Sequence, residues 1–138
     1  MRAPDERLPE QEFGLGIVVG RRSIIGGTRE RAARFFPNHR VRERGLMNDR
    51  VGDVPIVIAF DPVIGAGSAF VAVVGERALV FEPAGEGRFR DVASGSEFDL
   101  AGRAVSGPLA GKRLAPAPAL STRWYGFVQT YPGASIGE

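Results

Sequence analysis

Acidic, amide and hydroxyl side chains recur on both sides of the most apolar segment of this 138-residue chain. Carboxylates can transfer protons, and with neighbouring oxygen ligands they can hold a hard cation such as calcium or magnesium. A site of this kind requires the chain to fold back so that these residues meet. The same residue types also form turns, because Asn, Asp and Ser side chains bond their own backbone. The candidates are Asn48, Asp49, Asp61 and Asp91, with Ser94 and Ser96 as hydrogen-bond donors.

Other site chemistries find little support in the sequence. The chain has no cysteine and one histidine, His39, which excludes thiolate nucleophiles and the usual structural zinc sites. The segment from Gly107 to Lys112 resembles a phosphate loop, but it is one residue short and Arg113 replaces the magnesium-binding hydroxyl. We therefore predict no metal and no cofactor, and we favour a protein that is not an enzyme.

Positive charge is concentrated between Arg21 and Arg50, in a chain whose net charge is +2. A basic patch of this kind can attract nucleic acid or acidic lipid. A solvated, arginine-rich surface is the simpler interpretation, and we do not favour nucleic acid as the partner. The candidate patch comprises Arg29, Arg31, Arg34, Arg40, Arg42 and Arg44.

The chain reads as a flexible lead-in over residues 1–12 followed by one β-rich domain over residues 13–138. Many glycines and prolines favour short strands joined by turns. We predict a mainly β fold, either a small antiparallel barrel or a two-layer sandwich, with one or two short helices, the last of them C-terminal. Predicted strands are Phe13 to Val19, Arg22 to Ile25 after a turn at Gly20-Arg21, Val54 to Phe60, a hairpin of Ala69 to Val74 with Arg77 to Glu82, Arg88 to Val92, and Glu97 to Leu100. Val54 to Phe60 should be central and covered on both sides, because both of its faces are apolar.

Two segments are predicted to be helical. Thr28 to Phe36 has a capping threonine and an apolar side. Ser121 to Tyr131 is the stronger prediction, because Trp124, Phe127, Val128 and Tyr131 fall on one helical face.

No segment approaches the ~20 apolar residues of a membrane span. The polar first residues do not form a signal peptide as written, and localisation stays open.

A series of short motifs along the chain resembles the pattern of a known protein family. In order they are Phe36-Pro37, Asn48-Asp49, Val54-Pro55, Asp61-Pro62, Asp91 with Ser94, Ser96 and Phe98, Gly107-Pro108, Gly111, Leu114, Trp124 and Tyr131-Pro132. This series resembles the domain-of-unknown-function family 3179, found in bacteria and archaea, whose members are often exported. Many members carry Cys-Pro-x-Cys where this chain has Asp61-Pro62-Val63-Ile64. A thiol-based role implied by the family pattern is therefore absent here.

Three hypotheses of function follow from the sequence. The first is a non-catalytic module that binds a protein partner or assembles with copies of itself. The second is an enzyme or hard-cation site built from the acidic candidates. The third is binding of an anion or nucleic acid through the basic segment from Arg21 to Arg50.

Overall fold

The computed structural model describes residues 8–9, 11–22 and 29–137, and of residues 21, 22, 29 and 30 the backbone alone. Residues 23–25 of the predicted strand Arg22 to Ile25 and most of the predicted lead-in lie outside the described residues. Leu8 is buried against Phe35 and Trp124. The single domain over residues 13–138 stays a prediction.

The first sheet joins the two ends of the described chain. Its strands are β1 (Phe13–Arg22), β2 (Arg29–Pro37), β12 (Ala119–Arg123) and β13 (Ser135–Ile136), in the order β12-β1-β2-β13. All neighbours are antiparallel except β13 and β2. β1 continues to Arg22, so the predicted turn at Gly20-Arg21 is wrong.

The helix predicted at Thr28 to Phe36 is also wrong, because residues 29–36, the part of this segment that the structure describes, belong to β2. It pairs with β1 from Gly14↔Pro37 to Arg22↔Arg29. Phe35 and Phe36 point to opposite faces of the sheet, as successive strand residues do, and both are buried in different clusters. A single helical face would not bury them in this way. The helix α1 (Asn38–Arg44) begins only after Pro37.

The second sheet contains the predicted central strand. Its strands are β3 (Leu46–Val51), β4 (Val54–Asp61) and β5 (Ala66–Val71), with β4 in the middle and both pairings antiparallel. Residues 56–59 of β4 are buried. An uninterrupted apolar run of this kind indicates a strand covered on both faces, and that prediction is confirmed.

The third sheet consists of short strands. They are β8 (Phe81–Pro83), β9 (Arg88–Asp91), β10 (Glu97–Asp99) and β11 (Ala104–Ser106), in the order β11-β10-β9-β8. Before it, β6 (Val73–Val74) and β7 (Arg77–Ala78) form the hairpin predicted around Gly75-Glu76, in a shorter form. Phe81, Phe89 and Phe98 form an aromatic cluster, with ring centroids 4.9–5.8 Å apart.

The mainly β class is confirmed, as is the C-terminal helix α2 (Trp124–Thr130). Among the described residues no sheet closes into a barrel. The helix begins three residues later than predicted, because Ser121 to Arg123 pair with β1. Its predicted apolar face is buried through Trp124, Phe127 and Val128. Within the described part of the chain, neither helix is long and apolar enough to cross a membrane.

Candidate binding cleft

An open cleft lies between the second sheet and the β8–β9 hairpin. Its volume is about 610 Å³, within the usual range of ligand pockets. Most of its walls are apolar. One wall comes from the β3–β4 side and the other from β8, β9 and the residue after β10. The apolar residues that line it are Leu46, Ala59, Phe60, Pro62, Val63, Pro83, Phe89 and Leu100.

The turn from Asp61 to Gly65 forms one lip of the cleft. Asp61 Oδ1 accepts a hydrogen bond from the Val63 N–H at 2.9 Å, and the Asp61 carbonyl accepts one from the Gly65 N–H at 2.9 Å. These bonds fix the turn, which leaves Val63 91% and Ile64 65% exposed. Two adjacent apolar side chains therefore project into solvent beside an apolar cleft.

Charges of both signs stand at the edge of the cleft. Arg44 and Arg88 contribute guanidinium groups, and Asp61 and Glu86 contribute carboxylates. The Asp61 carboxylate already caps its own turn. The cleft therefore has an apolar centre and a charged rim without a dominant sign.

Three of the predicted site residues do meet, in the turn that joins β9 to β10. Asp91 is 1% exposed, and its Oδ2 accepts a hydrogen bond from the Ser94 N–H at 3.0 Å. Ser94 Oγ donates to Ser96 Oγ at 2.9 Å, and Ser96 Oγ accepts from the Leu109 N–H at 2.9 Å. These contacts tie the turn to the loop after β11. The group organises the backbone, and none of its residues lines the cleft.

Asn48 connects two sheets. Its Nδ2 donates to the Phe81 carbonyl at 2.8 Å, and its Oδ1 accepts from the Phe81 N–H at 2.9 Å. The amide thereby completes the outer edge of β8, whose other edge pairs with β9. A carboxylate could not make both bonds, because the first requires a donor.

Asp49 lies in a different environment from the other acidic candidates. Its Oδ2 is 3.4 Å from Arg34 Nε, and its Oδ1 accepts from the Arg50 N–H at 2.7 Å. Asp49, Asp61 and Asp91 thus make separate local contacts. Among the described residues no group of three acidic, histidine or cysteine side chains is placed to hold a metal ion.

The predicted basic patch is divided among several contacts. Arg40 Nη1 donates to the Gly137 carbonyl at 3.0 Å, and the Arg42 guanidinium lies 5.9 Å from the centre of the Phe60 ring. Arg44 lines the large cleft, while Arg31 and Arg34 line a second, smaller one. The side chain of Arg29 lies outside the described residues. The one histidine, His39, pairs through Nδ1 with the Glu12 carboxylate.

Sequence reasoning missed most of the cleft. Of its lining, only Asp61 and Arg44 were among the candidates. The available signal was Pro62-Val63-Ile64-Gly65, where two apolar residues stand inside a turn and have no strand or helix to bury them. The opposite wall, from Pro83 to Phe89, carries no signal of its own, because its position depends on how the third sheet packs on the second.

Comparison with known proteins identifies the family of this chain but indicates no activity. No curated protein and no solved structure matches the chain. The model of the family described as "Protein of unknown function (DUF3179)" matches residues 16–136. This match spans most of the chain, from β1 to β13, and includes every motif from Phe36-Pro37 to Tyr131-Pro132. The chain therefore belongs to the DUF3179 family.

Proposed function

We propose that this protein is a non-catalytic binding module that receives an apolar segment of a protein partner in the large cleft. The observation that carries the proposal is the exposed Val63 in the lining of the apolar cleft, with the exposed Ile64 next to it in the same turn. Contiguous exposed apolar surface on a folded domain often marks an interaction site.

A protein partner explains this surface better than a small molecule does. A compact ligand inside the cleft would leave the projecting Val63 and Ile64 in water. An extended or helical segment can fill the cleft and cover the turn as well. The charges of both signs around the apolar centre also suit a protein interface, which has an apolar core and a polar rim.

Peptide selection tests this proposal directly. Peptides displayed on phage are selected on the wild-type protein, and their affinities are then measured for Val63→Asp and for Val92→Asp. Val92 is the matched control, since it also lies in a turn and is 57% exposed, but it does not line the cleft. We expect apolar peptides whose affinity falls at least ~10-fold with Val63→Asp, as at an interface hot spot, and is unchanged with Val92→Asp.

Sedimentation velocity distinguishes a foreign partner from a second copy of this chain. Dimerisation that Val63→Asp abolishes would identify the occupant as another copy, in keeping with an assembly module. Selected peptides that bind Val63→Asp as tightly as the wild type would contradict the proposal, because the cleft and its lip would then not be the binding surface.

A further inference from the structure

A second cleft, of about 430 Å³, lies where β13 leaves the edge of β2 partly uncovered. β13 pairs with β2 only at Arg34 and Phe35, so the preceding residues of β2 have no neighbour from β13. The end of α2 and the loop that follows it form the opposite wall. This cleft shares no lining residue with the large apolar one.

Three arginines and three hydroxyl-bearing residues from distant parts of the sequence line this cleft. Arg31 and Arg34 come from the two faces of β2, Arg50 from β3, Thr130 from α2, Tyr131 from the loop after it and Ser135 from β13. Among the described residues that line it there is no carboxylate. We propose that this cleft binds a small phosphate-bearing ligand.

The polar contacts leave donors available for such a ligand. Arg34 Nη1 donates to Ser135 Oγ at 3.3 Å, so the Ser135 hydroxyl acts as acceptor there and keeps its own hydrogen to donate. Arg50 Nη1 is 3.4 Å from the Asp53 carbonyl, a weak contact with one of its five N–H donors. Guanidinium groups match phosphate oxygens in pairs, which is why arginine is favoured at phosphate sites.

Two nearby negative groups of the described residues bear on this charge. Asp49 pairs with Arg34 at 3.4 Å and offsets one of the three arginines, without itself lining the cleft. The end of α2 presents carbonyl groups, which would repel an anion. Two of these carbonyls are already partnered, since Gly126 accepts from Thr130 Oγ1 at 3.2 Å and Phe127 from the Tyr131 N–H at 2.8 Å.

The first test is titration of the whole chain with inorganic phosphate at low ionic strength, followed by NMR. We expect saturable shifts confined to the cleft. Arg31→Gln and Arg50→Gln should each weaken phosphate binding about 3- to 10-fold, as expected for loss of one charge-assisted bond. Both arginines are exposed, so these variants should fold even if Arg34→Gln does not. Arg77→Gln removes the same charge from β7 and should leave phosphate binding unchanged.

Further ligands identify the source of the phosphate. A phosphate monoester that binds more tightly than inorganic phosphate would indicate a free metabolite, whereas phosphatidic-acid vesicles that bind more tightly than the monoester would indicate a lipid headgroup. An absence of saturable phosphate shifts would overturn the proposal. So would an equal loss of binding in Arg77→Gln, or binding of oligonucleotides alone, because either would show attraction to general surface charge.

Discussion

The turn that joins β9 to β10 and the large apolar cleft differ in what their residues do. The turn carries the motif formed by Asp91, Ser94 and Ser96, and its polar groups bond each other and the neighbouring backbone. The cleft is built from ordinary apolar residues of separate strands, and its lip leaves Val63 and Ile64 uncovered. Recognisable polar residues therefore maintain the fold here, while the surface suited to binding is inconspicuous in sequence.

The largest expected effect is the loss of stability when the aromatic residue that follows this turn is truncated. Phe98 follows the motif serines and is fully buried against Phe81 and Phe89. Phe98→Ala should lower the free energy of unfolding by about 3–5 kcal/mol, because it removes buried apolar area and leaves a cavity. Urea unfolding followed by circular dichroism measures this. Val105→Ala, on an exposed position of the neighbouring β11, serves as the control, and equal losses in both variants would argue against a structural role for the motif.

An intermediate effect is expected from the hydroxyl at the centre of the turn. Ser96→Ala should cost about 1–3 kcal/mol of unfolding free energy, since the Leu109 N–H and Ser94 Oγ would lose their partner in a partly buried place. Thermal and urea unfolding of this variant should be compared with those of Ser106→Ala, an exposed serine on β11. A Ser96→Ala protein as stable as the wild type would show that the polar contacts of this turn do not stabilise the fold.

The smallest stability effect is expected at the lip of the cleft. Val63→Asp should change the free energy of unfolding by no more than about 0.5 kcal/mol, because a largely exposed surface side chain contributes little to the fold. The same substitution is expected to abolish most peptide binding. Should Val63→Asp unfold at markedly lower urea concentration, Val63 would belong to the packed structure, and the contrast between the two regions would fail.

Local sequence patterns by themselves determined several features of the molecule. The continuous apolar run from Val54 to Phe60 requires a strand covered on both faces, and β4 is one. The spacing of Trp124, Phe127 and Val128 requires a buried helical face, and α2 provides it. The absence of cysteine excludes thiol chemistry. In each case the information lies within a few neighbouring residues, so the sequence is sufficient.

Other features of the molecule depend on contacts between residues far apart in the chain, and only the tertiary structure decided them. The segment that ends in Phe35 and Phe36 has helix-compatible residues, but its long pairing with β1 makes it a strand. The two clefts arise where separate sheets and strand ends meet, which no local pattern records. Arg31, Arg34 and Arg50 line one cleft with Ser135 because β13 returns to the edge of β2, a contact across about 100 residues. Such contacts depend on the packing of whole sheets, whose energy is spread over many residues far apart in the chain.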